Sequence, residues 1–326
     1  MKEQIEIPWL HTYEEIWLRL LNSERTPHAV LITGSRGIGK RSFASWLAGQ
    51  HLEIDSVKEK PYHPYIIPQH ADLRWIQPED GKRDISVDQI RGLIEILSLS
   101  SYEGIGKVAV IEPFNMMNIN SSNSLLKILE EPPKDTFFIM SSNFIHQIPA
   151  TIRSRSIEIE VTVPSFNECH EWLSESYSEN IDLGIELSDN RPLVAKYLMD
   201  LNILELRSTF IKDISGIIKS GKHIVNISEQ WCKELETLPL KLEWMSYILI
   251  DAIKHESANE HAEVLSDSEN ITRYLGENSD IFNLHELLNK TNEIWNLFSG
   301  DTNLRKEYQL QSLFVAWEKE LGISSL

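Results

Sequence analysis

Residues 29–33 form a short unbroken apolar run that ends in a glycine-rich turn, and residues 40–51 then carry Phe43, Trp46 and Leu47 at helical spacing. This predicts a strand, a loop and a helix. Residues 73–77 predict another strand. Ser86 with Gln89 forms a capping box ahead of Ile90, Leu93, Ile94 and Leu97, the apolar stripe of an amphipathic helix. Residues 108–111 and 136–141 read as buried strands, separated by a helix over 120–131 that Pro132 and Pro133 close. Residues 157–161 supply one more strand. Strands alternating with helices over about 130 residues predict a mostly parallel sheet covered on both faces.

Beyond Pro164 the texture changes. Residues 166–199 read as short helices with no strand signal, and from residue 201 the pattern is helical throughout. It is clearest where Leu310, Phe314, Trp317 and Leu321 recur at helical spacing, with Gly322 just beyond. The polar, acidic stretch 255–270 reads as a loop between helices. The expected layout is an α/β domain over 1–163, a small helical domain over 164–200 and an all-helical domain over 201–326.

Composition narrows the class. Of 326 residues, 41% are apolar and 25% charged, which is ordinary globular usage. Cys169 and Cys232 are the only cysteines, too few for a disulfide framework or a four-thiolate zinc site. No apolar run reaches the length of a membrane span, and the first residues lack a secretory signal, so a cytoplasmic protein with no membrane partner is expected. The net charge of −18 is uneven: residues 1–165 hold 17 basic and 21 acidic side chains, and 166–326 hold 14 and 28. Such a chain repels nucleic acid overall, so DNA contact has to come through local basic patches or through partners.

Gly34, Gly39 and Lys40 in TGSRGIGKRS have the spacing of a phosphate loop, in the strand-to-helix context such a loop requires. Backbone N–H groups and the helix N-terminus would face a phosphate there, and the lysine would neutralise its oxygens. The next residue should offer a hydroxyl to magnesium, but it is Arg41. Ser42 comes one place late, about 100° around the helix. After the buried strand, a working ATPase places an aspartate for the metal and a glutamate for water; this chain reads Glu112 and Pro113. Metal and water chemistry are both impaired. Gly104, Gly106 and Lys107 repeat the GIGK string but precede a strand, which predicts a turn.

With this degenerate loop, NSLLKILEEPP over 123–133, TIRSRS over 151–156 and DLRWIQPEDGKRDISVDQIR over 72–91, the chain resembles the clamp-loader AAA+ family of bacterial DNA polymerase III, and within it the delta prime subunits. The resemblance covers the first two predicted domains well, and the third in helical character only. It implies an AAA+-like α/β P-loop domain, a lid and a helical collar. It further implies a stator in a loader that contains gamma or tau and delta, and that acts on the sliding clamp and primer-template DNA through the complex. Polymerase activity would belong to the holoenzyme.

By the same resemblance, Arg155 matches the arginine of the family's SRC motif, which reaches the ATP of an adjacent subunit; Ser156 stands in place of the cysteine. The bland alternative is that Arg153 and Arg155 make surface ion pairs. No cofactor is required on this reading, although the intact glycines leave weak ATP or ADP binding open. Many relatives carry four clustered cysteines that bind zinc. This chain has none, and His51, His63 and His70 do not replace them, so no zinc is expected. Ser141, Ser142 and Asn143 end a strand where a γ-phosphate sensor normally sits, while Arg191 falls outside the sensor arginine position. Trp172, Trp231, Trp244, Trp295 and Trp317 read as core or subunit contacts. Two alternatives stand beside the silent subunit: an active gamma-type ATPase, against which Pro113 speaks, and a DNA-binding repair protein, against which the charge speaks.

Overall fold

The computed structural model describes residues 4–21, 27–82, 84–220, 224–258, 267–299 and 305–320. The chain divides into two compact units, Met1–Met199 and Asp200–Leu326. The first contains β1 (Ile5–Glu6), α1 (His11–Leu21), β2 (Ala29–Thr33), α2 (Lys40–Leu52), β3 (Tyr62–His63), β4 (Leu73–Ile76), α3 (Val87–Leu97), β5 (Lys107–Ile111), α4 (Ile119–Glu130), β6 (Thr136–Ser142), α5 (Ala150–Arg153) and β7 (Ile157–Glu160). Helices α6 (Phe166–Ser174), α7 (Ile181–Leu187) and α8 (Pro192–Asp200) follow.

Five strands form one parallel sheet in the order β4-β5-β6-β2-β7. Alternation along each strand divides its side chains between two cores. Val30, Ile32, Val108, Val110, Phe137 and Ile139 meet Phe43, Trp46 and Leu47 of α2 on one face. Leu31, Ala109, Ile111, Phe138 and Met140 meet Ile90 and Leu93 of α3 and Leu125 and Leu129 of α4 on the other. Each buried Val, Leu, Ile, Phe or Met side chain contributes about 1.5–3 kcal/mol relative to exposure, and strands buried on both faces read as unbroken apolar runs. The expected α/β P-loop architecture is present. Cys169, Trp172 and Leu173 of α6 and Ile185 of α7 share the α2-side core, so these helices complete the first unit.

The capping box forms as the sequence predicts: Gln89 N donates to Ser86 Oγ, and Ser86 N donates to Gln89 Oε1. Gly104 and Gly106 lie in the turn before β5, both with positive φ, and Lys107 is buried with its ammonium donating to the carbonyls of Leu97 and Leu99. That ammonium serves the turn, as the wrong-context reading of GIGK anticipates.

The second unit is helical among its described residues: α9 (Ile203–Ser220), α10 (Ile224–Lys233), α11 (Leu238–Ala258), α12 (Glu269–Asn278), α13 (Ile281–Ser299) and α14 (Lys306–Glu320). The expected loop over 255–270 is narrower than its polarity suggests, because α11 extends to Ala258 and α12 begins at Glu269; residues 259–266 lie outside the described residues. Leu310, Phe314 and Trp317 are fully buried, whereas Leu321 and Gly322 fall outside the described residues. Trp231 and Trp244 join the same kind of aromatic core: Phe210 lies 5.9 Å from the Trp231 ring and 5.3 Å from the Trp244 ring. No helix among the described residues is long and apolar enough to cross a membrane.

Candidate functional site

The phosphate loop links β2 to α2. Gly39 caps α2 at φ 94°, a conformation that a side chain would strain. The loop is gripped from outside by its own chain. Trp9 Nε1 donates to the Ile38 carbonyl at 2.9 Å, and Leu193 N at the start of α8 donates to the Gly37 carbonyl at 3.1 Å. A Cβ at Gly34 would sit 2.2 Å from the Val161 oxygen, and one at Gly37 2.4 Å from Val194 Cγ2. These glycines therefore admit close packing against the protein itself, whatever else they admit.

Lys40 is buried, and its ammonium donates to the carbonyls of Gly34 and Ser35 at 2.8 and 2.6 Å. Burial and the neighbouring Arg41 lower its pKa to about 7, with Glu112 offsetting part of the effect. Arg41, one position on, crosses to the end of β5. Its Nε donates to Glu112 Oε2 at 2.6 Å, and its guanidinium lies 5.5 Å from the Tyr65 ring. Partial burial works against the Arg41 charge, but attraction to Glu112 and their hydrogen bond prevail and raise its pKa. Glu112 is 1% exposed, and its second oxygen accepts from Trp75 Nε1 of β4 at 3.2 Å. A magnesium ion needs oxygen donors free to face it. Here the carboxylate on the metal side is paired with a guanidinium, and position 41 supplies a cation where a hydroxyl belongs. These residues do not suit a magnesium-bound nucleotide.

At the sensor position, the Ser142 hydroxyl is within 3.3 Å of Asn115 Oδ1 and 3.2 Å of the Phe144 carbonyl, so it is engaged locally. Arg191 Nε donates to the Ser188 carbonyl within its own turn. The three histidines go to different neighbours: His51 stacks on Phe137, His63 lies edge-on to Trp172, and His70 pairs with Glu103 at 3.3 Å.

Arg155 lies elsewhere. It follows α5 and precedes β7, whose Ile157 pairs with Val30 of β2, whereas the phosphate loop leaves the other end of β2. The length of a strand, about 15 Å, separates the two. Arg155 Nη1 donates to the Thr151 carbonyl at 2.9 Å and to Ser154 Oγ at 3.2 Å, and Nη2 lies 2.7 Å from Glu130 Oε1 at the end of α4. Arg153 pairs separately with Glu158 at 3.2 Å. Gly34, Gly39 and Lys40 are thus brought together, and Arg155 is held apart from them. Sequence reasoning missed Trp9, Gly37, Leu193 and Glu130. It noticed Glu112 as a substitution and missed it as the partner of Arg41.

A family model described as DNA polymerase III, delta subunit, matches residues 11–165, and one described as DNA polymerase III, delta subunit, C terminal, matches residues 202–319. DNA polymerase III subunit delta' of Pseudomonas aeruginosa is 27% identical over 325 residues, covering 95% of this chain and 96% of the relative. The chain belongs to the DNA polymerase III delta prime family. The corresponding subunit of Escherichia coli is 26% identical over 261 residues, 76% of each chain. A DNA polymerase III subunit gamma of Buchnera aphidicola is 29% identical but aligns with only 47% of this chain and 43% of its own. The Pseudomonas relative aligns over 95% of this chain and the C-terminal family model matches residues 202–319, whereas the gamma match covers less than half of this chain. The C-terminal helices, matched from sequence only in character, therefore belong to the family as well.

Proposed function

We propose that the protein is the stator subunit of a DNA polymerase III clamp loader, that it does not itself hydrolyse ATP, and that it offers Arg155 to nucleotide held by a neighbouring subunit of the gamma or tau kind. With delta in the same assembly, it supports ATP-driven loading of a sliding clamp onto primed DNA. The carrying observation is the Arg41–Glu112 pair, which puts a guanidinium 2.6 Å from the carboxylate that a metal would need. The placement of Arg155 supports the second half of the reading, because a strand's length from its own phosphate loop it has no nucleotide of its own chain to serve. A guanidinium at the γ-phosphate of an adjacent site stabilises the charge that develops during phosphoryl transfer. Lys40 and the glycine loop would hold at most a phosphate without its metal.

The test is ATP turnover by the purified chain alone and in the assembly reconstituted with the gamma and delta subunits of its own host. The chain alone is expected at background, and the assembly is expected to show clamp- and DNA-stimulated hydrolysis. Magnesium-dependent turnover by the chain alone that Lys40→Ala abolishes would overturn the silent-subunit reading.

A further inference from the structure

We propose that Glu130 is a positioning residue for Arg155, holding its guanidinium ready for the phosphate of a nucleotide bound by the neighbouring subunit. The proposal rests on the reading of Arg155 given above. Glu130 is the last residue of α4, and Ile128 and Leu129 immediately before it are buried in the core under the sheet. Its carboxylate is therefore carried on a fixed element. A negative charge at a helix C-terminus opposes the helix dipole, so the position disfavours glutamate unless a cation compensates it. Arg155 is that cation, with Nη2 2.7 Å from Glu130 Oε1.

The guanidinium carries five N–H donors. Two are taken by Thr151 O and Ser154 Oγ, both through Nη1, and Glu130 engages Nη2. At least two donors remain for phosphate oxygens, so holding and binding are compatible on one side chain. Without Glu130 the guanidinium would be restrained through Nη1 alone, and a long side chain regains rotamer freedom that it must lose again at each encounter. A transferring phosphoryl group is stabilised best by donors that are already in place. The Glu130 carboxylate is half-exposed, so the restraint is worth about two- to fivefold in rate, the range that such ion pairs support.

The experiment measures kcat and KM for ATP in the reconstituted assembly, with clamp and primed DNA present, for the parent, Arg155→Ala, Glu130→Ala, Glu130→Gln and the double variant Glu130→Ala/Arg155→Ala. Glu130→Ala is expected to slow the one site that faces this subunit about two- to fivefold, so that the kcat of the whole assembly falls by less than this, with KM little changed. Glu130→Gln, which keeps the volume and an acceptor oxygen, should lower kcat less, and it serves as the decisive variant if Glu130→Ala does not assemble. The double variant should be no slower than Arg155→Ala. If Arg155→Ala is slow while Glu130→Ala and Glu130→Gln run at or above the parent rate, the Glu130 assignment is overturned and the arginine reading stands. A double variant slower than Arg155→Ala by the full Glu130 factor also overturns it, because Glu130 would then act without Arg155. A parent rate in Arg155→Ala overturns the arginine reading itself.

Discussion

Arg41 and Glu112, 71 positions apart in sequence, form an ion pair of 2.6 Å across the mouth of the phosphate loop, with the carboxylate 1% exposed. The pair makes the carboxylate at the end of β5 an internal contact. Its energetic weight lies in what removal of one partner would strand. Arg41→Ala leaves a buried carboxylate with only the Trp75 indole N–H to satisfy it, and is expected to cost about 1–3 kcal/mol, discounted because the Arg41 side chain is half-exposed. Urea unfolding of Arg41→Ala, Glu112→Gln and the combined variant forms a cycle, in which the combined loss should be smaller than the sum of the single losses. Additive losses would mean that the two side chains do not depend on each other.

Lys40 should destabilise the fold at neutral pH. Its folded pKa, about 7, lies below the unfolded value near 10.5, so between these pH values the unfolded chain binds more protons and stability rises with pH. Below about pH 7 the penalty is fully present. Lys40→Met removes the charge, and is expected to raise stability at pH 7 by about 1–3 kcal/mol, with the difference from the parent shrinking as pH climbs toward 10. Denaturant unfolding at pH 7, 8.5 and 10 checks it; a variant less stable than the parent at pH 7 would show that the hydrogen bonds to Gly34 and Ser35 outweigh the buried charge.

Arg155→Ala should leave the assembled loader intact and slow the one ATP site that faces this subunit. Fully engaged trans arginines are worth about 10³ to 10⁵ at their own site, so total hydrolysis falls by less while the other sites continue. Arg155→Lys should recover little, because an ammonium does not present a planar fork to two phosphate oxygens. Single-turnover ATP hydrolysis and clamp-loading rates measure both. An assembly carrying Arg155→Ala that hydrolyses ATP and loads clamps at the parent rate returns Arg155 to a surface ion pair with Glu130.

A fragment covering residues 1–200 should fold alone, since it comprises the compact unit Met1–Met199 with both cores of its sheet. It should melt cooperatively by circular dichroism yet fail to co-elute with the gamma and delta subunits, because the helical second unit is expected to carry assembly. Co-elution of the fragment at the full chain's affinity would move the assembly surface into the first unit.

What the sequence by itself determined is local or periodic. Strands buried on both faces are unbroken apolar runs, so β2, β5 and β6 were legible from residues 29–33, 108–111 and 136–141, and the Ser86–Gln89 box and Pro132 marked helix boundaries by short-range chemistry. The missing hydroxyl at Arg41 and missing carboxylate at Pro113 were legible because a phosphate loop imposes residue types at fixed spacing. The two-residue strands β1 and β3 were not, since two positions hold no period, and they pair only because the chain brings Ile5 beside His63. The partners of the key side chains were decided by tertiary structure alone. Arg41 meets Glu112 because β5 ends beside the first turn of α2; Trp9 and Leu193 reach the loop from 29 residues before Ile38 and from the start of α8. Arg155 meets Glu130 because α4 ends where β7 is about to begin. A sequence states which charges a chain carries, but an ion pair depends on a few ångströms of separation, and those are set by how the sheet orders its strands.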